Sequence, residues 1–174
     1  VFDCSHGACI APMRTTRVMD RFLDRAGVNS DTGGAMTAEA YMFGPFRVVG
    51  RDGSELTPTG QVRRAILAVL LMSPGRSCTK QYLVDLFWAQ SEPTKSRASL
   101  RTALSTLKKE LAPLGDDVIT SDRYHVRLSG RALTVSLGQG AESAQLPLLQ
   151  DLDVEARGSD GFEEWLRDMR LRHS

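Results

Sequence analysis

The sequence predicts an α+β fold: a short N-terminal antiparallel sheet, three helices, a closing β-hairpin and one further short helix. Three observations predict it. Residues 41–49 are rich in aromatic and β-branched side chains. Three stretches between residues 61 and 111 carry apolar residues at helical spacing. Residues 118–120 and 124–128 read as two short strands around Ser121-Asp122-Arg123, a turn-length polar break.

Each element has its own signature. In the strand over 41–49, Pro45 has no N–H to donate, so the strand belongs at a sheet edge or carries a bulge. Arg51-Asp52-Gly53 is a turn, and residues 55–57 return as a second short strand. Pro58-Thr59-Gly60 leads into a helix over 61–73. Ala65, Ile66, Val69, Leu70 and Met72 make that helix apolar almost all round, so it is expected at the centre, with Arg63 and Arg64 as exposed charges at its start. Pro74-Gly75 ends it. Ser77-Cys78 is a very short strand, and Thr79 is a good N-cap for a second helix over 80–87, whose core face is Leu83, Leu86 and Phe87. A seven-residue connection, 88–94, precedes a third helix from Lys95 to about Leu111, which stops before Pro113. Residues 133–137 offer a last strand.

Charge is segregated along the chain. The 174 residues hold 22 Lys and Arg against 21 Asp and Glu. Residues 41–137 carry 14 basic and 8 acidic groups, net +6, whereas residues 138–174 carry 4 basic and 8 acidic groups, net −4. A basic middle with an acidic tail suggests a polyanionic partner for the middle. No apolar run approaches the roughly 18 residues of a membrane-spanning helix, and no secretory signal pattern opens the chain. Three cysteines, Cys4, Cys9 and Cys78, are too few for a disulfide scaffold and fit a reducing cytosol. A cytoplasmic protein without membrane attachment is therefore expected.

The third helix is the most informative element. At about 100° per residue, Leu100, Ala103, Leu104, Leu107 and Leu111 form one apolar stripe. The opposite face holds Lys95, Ala98, Thr102, Ser105, Thr106 and Lys109, with Ser99 and Arg101 on its flanks. Arg97 and Lys108 bring the basic groups to five, against one acid, Glu110. Small residues let a helix approach a groove floor, hydroxyls reach phosphates or base edges, and arginine bonds guanine bidentately. An ordinary solvated face would carry such charges too, so context decides. A short helix, a connection and a basic helix form a helix-turn-helix order. The hairpin that follows carries Arg123 at its tip and Tyr124, His125 and Arg127 on its return strand, the composition of a wing that reaches phosphates or a narrow minor groove.

The run from Tyr41-Met-Phe-Gly-Pro-Phe-Arg-Val through Leu56-Thr-Pro-Thr-Gly, Arg64-Ala-Ile-Leu-Ala-Val-Leu-Leu, Ser73-Pro-Gly-Arg and Leu83-Val-Asp-Leu-Phe-Trp88 resembles the OmpR-type winged-helix domain. It is most similar to the branch found in the Streptomyces antibiotic regulatory protein (SARP) family of activators. Residues 97–111 and 118–128 complete the resemblance, which covers about residues 41–137. It implies a winged helix-turn-helix whose third helix enters the major groove of double-stranded DNA, often as head-to-tail pairs on direct repeats. It also implies that the connection before that helix, here Trp88, Gln90, Ser91 and Glu92, can touch RNA polymerase. The DNA-facing set is then Arg64, Lys95, Arg97, Ala98, Ser99, Arg101, Thr102, Ser105, Lys108, Lys109, Arg123 and Arg127.

Residues 138–174 resemble a linker and the entry to the helical bacterial transcriptional activation domain of that family, which the chain is too short to contain. Phe162, Trp165, Leu166 and Met169 sit at helical spacing there, and they either pack back on the winged helix or lie exposed. Residues 1–40 read as an extension, flexible or translated from a start upstream of Met36, or else as a helix docked on the domain.

Other groupings have plainer explanations. Cys4, His6 and Cys9 give three metal ligands where a structural zinc site takes four. Glu163, Glu164 and Asp168 read as solvated helix charges, and His125 as a phosphate or solvent contact. No phosphate-cradling glycine loop and no nucleophile in a recognisable elbow is present. No catalytic residue, metal or cofactor is expected. The competing reading is a protein-interaction module that has lost DNA contact, its tail helix docking a partner and its acidic tail shielding the basic face.

Overall fold

The computed structural model describes residues 37–136, 146–152 and 160–173, all within one compact unit. The helical reading of residues 1–36 and the Cys4, His6 and Cys9 grouping lie outside the described residues. The fold is mixed α+β, a winged helix.

The expected single strand over 41–49 is instead two, β1 (Ala38–Tyr41) and β2 (Arg47–Gly50), paired antiparallel with Ala38 opposite Gly50 and Tyr41 opposite Arg47. Pro45 lies in the connection between them, where its missing N–H costs no ladder bond. The second strand expected over 55–57 reduces to a bridge between Val49 and Glu55, reached through a turn in which Gly53 takes a φ of 81°.

Helix α1 (Gln61–Met72) follows, and Ala65 through Leu71 are all buried, which makes it the axis of the core. A single 3-10 turn (Pro74–Arg76) leads to β3 (Ser77–Thr79). The side chain of Thr79 accepts the amide of Tyr82 and caps α2 (Lys80–Trp88), as its position suggested. Helix α3 (Pro93–Glu110) begins two residues before the expected Lys95, with Pro93 in its first turn. Proline is suited to that place because its fixed φ is helical and its absent N–H would have no partner there. The connection is thus four residues, 89–92, rather than seven.

The hairpin forms as expected, from β4 (Ile119–Ser121) and β5 (His125–Leu128), with β3 on the outer side of β5. Strand β6 (Leu133–Ser136) departs from an antiparallel sheet: it lies parallel to β1, Ala38 beside Leu133 and Tyr41 beside Ser136, on the side away from β2. A parallel pair needs a long crossover, and all three helices and the hairpin supply it.

The tail is part of the core. Leu148, Leu149 and Leu152 are buried. The amides of Leu149 and Gln150 donate to the carbonyls of Met42 and Gly44, and the Gly44 amide donates to Pro147, so residues 146–152 strap the β1–β2 connection. Helix α4 (Asp160–Arg172) lies on α2. Phe162 is fully buried with its ring 5.1 Å from that of Phe87, and Leu166 is buried beside it. Gly161 permits this approach, since a Cβ there would stand 3.3 Å from the carbonyl oxygen of Asp85. The Arg170 guanidinium donates to the carbonyls of Leu148 and Leu149 and ties α4 to the strap. Of the two readings of the tail's apolar residues, packing on the winged helix is the one observed.

Candidate nucleic-acid interface

Helix α3 presents two faces. Leu100, Leu104 and Leu107 are buried against α1 and α2, and Ser96, also buried, turns its hydroxyl onto the Pro93 carbonyl. Lys95, Arg97, Arg101, Thr102, Ser105, Lys108 and Lys109 are exposed, while Ala98, Ser99 and Thr106 are half-buried. Among the described residues, no carboxylate forms an ion pair with Lys95, Arg97, Arg101, Lys108 or Lys109. The acids of α4 do not neutralise this face: Asp168 pairs with Arg172 on its own helix, and Glu163 and Glu164 make no ion pair with it.

The single acid of α3 is used for anchorage. Glu110 takes the Arg63 guanidinium on both oxygens, at 2.8 and 3.1 Å, and accepts the amide and hydroxyl of Thr59. This joins the end of α3 to the start of α1, and Arg63 is therefore clamped rather than the free surface charge expected. Partial burial pushes the Glu110 carboxyl up, but the hydrogen bonds from Arg63 and Thr59 outweigh it and hold the group below its ordinary value. A carboxylate with a depressed folded-state pKa contributes stability that is complete above the usual glutamate range and is lost as the pH falls through the folded value. Thermal midpoints are therefore expected to drop below about pH 4.5. Glu110→Gln is expected to flatten part of that drop. An unchanged profile between pH 5 and 3 in that variant would remove Glu110 as a contributor.

The wing is held from both sides. Strand β5 pairs with β3, Thr79 opposite His125, and the Lys80 amide donates to the Tyr124 carbonyl, so the hairpin is fastened to the start of α2. At the tip, Asp122 Oδ1 accepts the amides of Tyr124 and His125, both at 2.7 Å. These bonds, with Arg127 nearby, hold the Asp122 carboxyl below the usual range. Asp122 also pairs with Arg127 at 3.2 Å and lies 3.7 Å from His125. Arg123 sits with its guanidinium 5.4 Å from the Tyr124 ring centre, and Tyr124 is 63% exposed.

The remaining sequence-derived positions fall elsewhere. Arg64 is half-buried, donates to the Pro58 carbonyl and pairs with Asp151 at 3.1 Å, so its guanidinium is engaged by the strap. Asp151 also accepts the Phe46 amide. Trp88 is half-buried with its ring edge against Phe87, whereas Gln90, Ser91 and Glu92 are exposed on the connection. Sequence reasoning missed Asp122, Glu110 and Asp151. Only Asp122 had a local signal, an aspartate opening a tight turn. Among the described residues, no group of three or more His, Cys, Asp or Glu side chains is placed to hold a metal ion, and no helix is long and apolar enough to cross a membrane.

A winged helix that turns outward a basic helix whose cations have no ion pair among the described residues, with a basic hairpin beside it, belongs to the class of folds used for nucleic-acid recognition. No family model matches the chain. It is 38% identical over 109 residues to the regulatory protein AfsR of Streptomyces griseus, covering 59% of this chain and 11% of that protein. Over 104 residues it is 38% identical to AfsR of Streptomyces coelicolor, covering 59% and 10%. It is 32% identical over 94 residues to the transcriptional regulatory protein MoaR1 of Mycobacterium bovis, covering 53% and 29%. The chain spans about a tenth of the length of the AfsR proteins and under a third of MoaR1. These relatives uphold the resemblance to the SARP family: the chain is a relative of named regulatory proteins.

Proposed function

We propose that this chain is a cytoplasmic, non-enzymatic transcriptional regulator that reads double-stranded DNA sequence-specifically. In this reading α3 lies in the major groove. Arg101, Thr102 and Ser105 meet base edges, while Lys95, Arg97, Lys108 and Lys109 meet phosphates, and Ala98 and Ser99 allow close approach. Arg123 reaches the backbone or the minor groove from the wing, and Arg127, paired with Asp122, adds a phosphate contact only where that pair opens. Residues 88–92 face RNA polymerase, and copies associate head to tail on repeated sites. The observation that carries the reading is the outer face of α3, where exposed hydroxyls and cations without an ion pair among the described residues stand over an inner stripe of leucines. Arg64 is left to hold the strap, since its guanidinium is engaged by Asp151.

Titration of labelled duplexes at several salt concentrations tests this. Binding is expected to weaken linearly in a log–log plot, with a slope of roughly −0.9 for each phosphate contacted. Lys109→Ala is expected to lower affinity evenly across sequences and to reduce that slope by about one. Retention of no duplex at low salt, together with salt-insensitive self-association, would replace this reading with the interaction module.

A further inference from the structure

The wing tip carries an acid, Asp122, beside two arginines, Arg123 and Arg127. Asp122 makes two kinds of contact there. Through Oδ1 it accepts two backbone amides and shapes the turn, and through Oδ2 it takes the Arg127 guanidinium at 3.2 Å. Arg123, the next residue, has no carboxylate partner among the described residues and rests beside the exposed Tyr124 ring. Of the two arginines on the hairpin, one is engaged and one is presented.

This division matters if the wing meets DNA, so the inference rests on the function proposed above. Loose, unregistered complexes are held by whichever cations reach phosphates. In a registered complex α3 fixes where the wing falls, and the residue presented at the tip does the work. A carboxylate that occupies Arg127 and repels phosphate therefore penalises loose complexes more than registered ones, which is selectivity by disfavouring the wrong partner. We propose that Asp122 is a specificity-determining residue of the wing, which shapes the turn that presents Arg123 and Tyr124 and withholds Arg127 from indiscriminate phosphate contact. The pair is exposed, so the effect is several-fold rather than orders of magnitude.

The test uses a duplex enriched by the wild-type chain from a random-sequence library and a shuffled duplex of the same composition. Asp122→Asn keeps a turn-forming oxygen and removes the charge, and Asp122→Ser does the same with a shorter side chain. Both are expected to raise affinity for the shuffled duplex about three- to fivefold and for the enriched duplex less, so that the ratio falls about two- to threefold. The log–log salt slope on the shuffled duplex is expected to steepen by about one. In an Arg127→Gln background the gain from Asp122→Asn is expected to shrink, because the pair it breaks is already gone. Equal gains on both duplexes, or no gain on either, would overturn the role given to Asp122 while leaving the DNA-binding reading standing. Failure of the wild-type chain to retain any duplex would overturn that reading, and this inference with it, before any variant is made.

Discussion

Phe162→Ala is expected to destabilise the domain by about 3–5 kcal/mol, the usual cost of deleting a buried aromatic ring. The ring is fully buried, 5.1 Å from Phe87 and 5.4 Å from Trp165. Its removal leaves a cavity between α2 and α4 that cannot close easily. Gly161 already sits against the backbone of α2, and the Arg170 bonds fix the far end of α4 to the strap. The reading is the midpoint of a urea transition, with the slope checked for two-state behaviour. A loss below about 1 kcal/mol would mean that α4 is a separable layer and that the cooperative unit ends near β6. The answer bears on the proposed DNA binding because α2, which α4 covers, also anchors the wing through the Lys80 amide.

Arg101→Ala is expected to cost about 1–3 kcal/mol of affinity for an enriched duplex, tenfold for each 1.4 kcal/mol, and much less on shuffled DNA. Arg101 is exposed on the flank of the outer face, next to Thr102 and four residues before Ser105, and it makes no ion pair among the described residues. In the function proposed, this guanidinium bonds guanine with two hydrogen bonds, and alanine in its place is expected to relax preference at one base pair. The measurement is binding to the enriched site and to its single-base variants. Equal loss on enriched and shuffled duplexes would reassign Arg101 to a phosphate contact.

What the sequence disclosed followed from periodicity. The α3 stripe of Leu100, Leu104 and Leu107 is the buried face, α1 is central, Thr79 caps α2, and the hairpin lies within a residue of its expected bounds. These features are set by local spacing and by side chains acting on nearby backbone. What it did not disclose depends on residues far apart in the chain. The Glu110–Arg63 clamp spans 47 positions and the Asp151–Arg64 pair 87, and no local pattern names such partners. The parallel seat of β6 was hidden for the same reason, since strands alternate alike whichever neighbour they take. The division of labour at the tip was half legible: Arg123 and Arg127 look equivalent in sequence, and only the turn geometry shows which one Asp122 occupies.

The seating of β6 beside β1 also sets a schedule for synthesis. Ala38 leaves the ribosome about 95 residues before Leu133 can join it. At roughly 5–20 residues per second this interval lasts about 5–20 seconds. During it the nascent β1–β2 ribbon has one open flank, a template for pairing with other chains. Closure is a late event that awaits the last strand, so the ribbon stays open even after the wing residues have been made, until Leu133–Ser136 arrive.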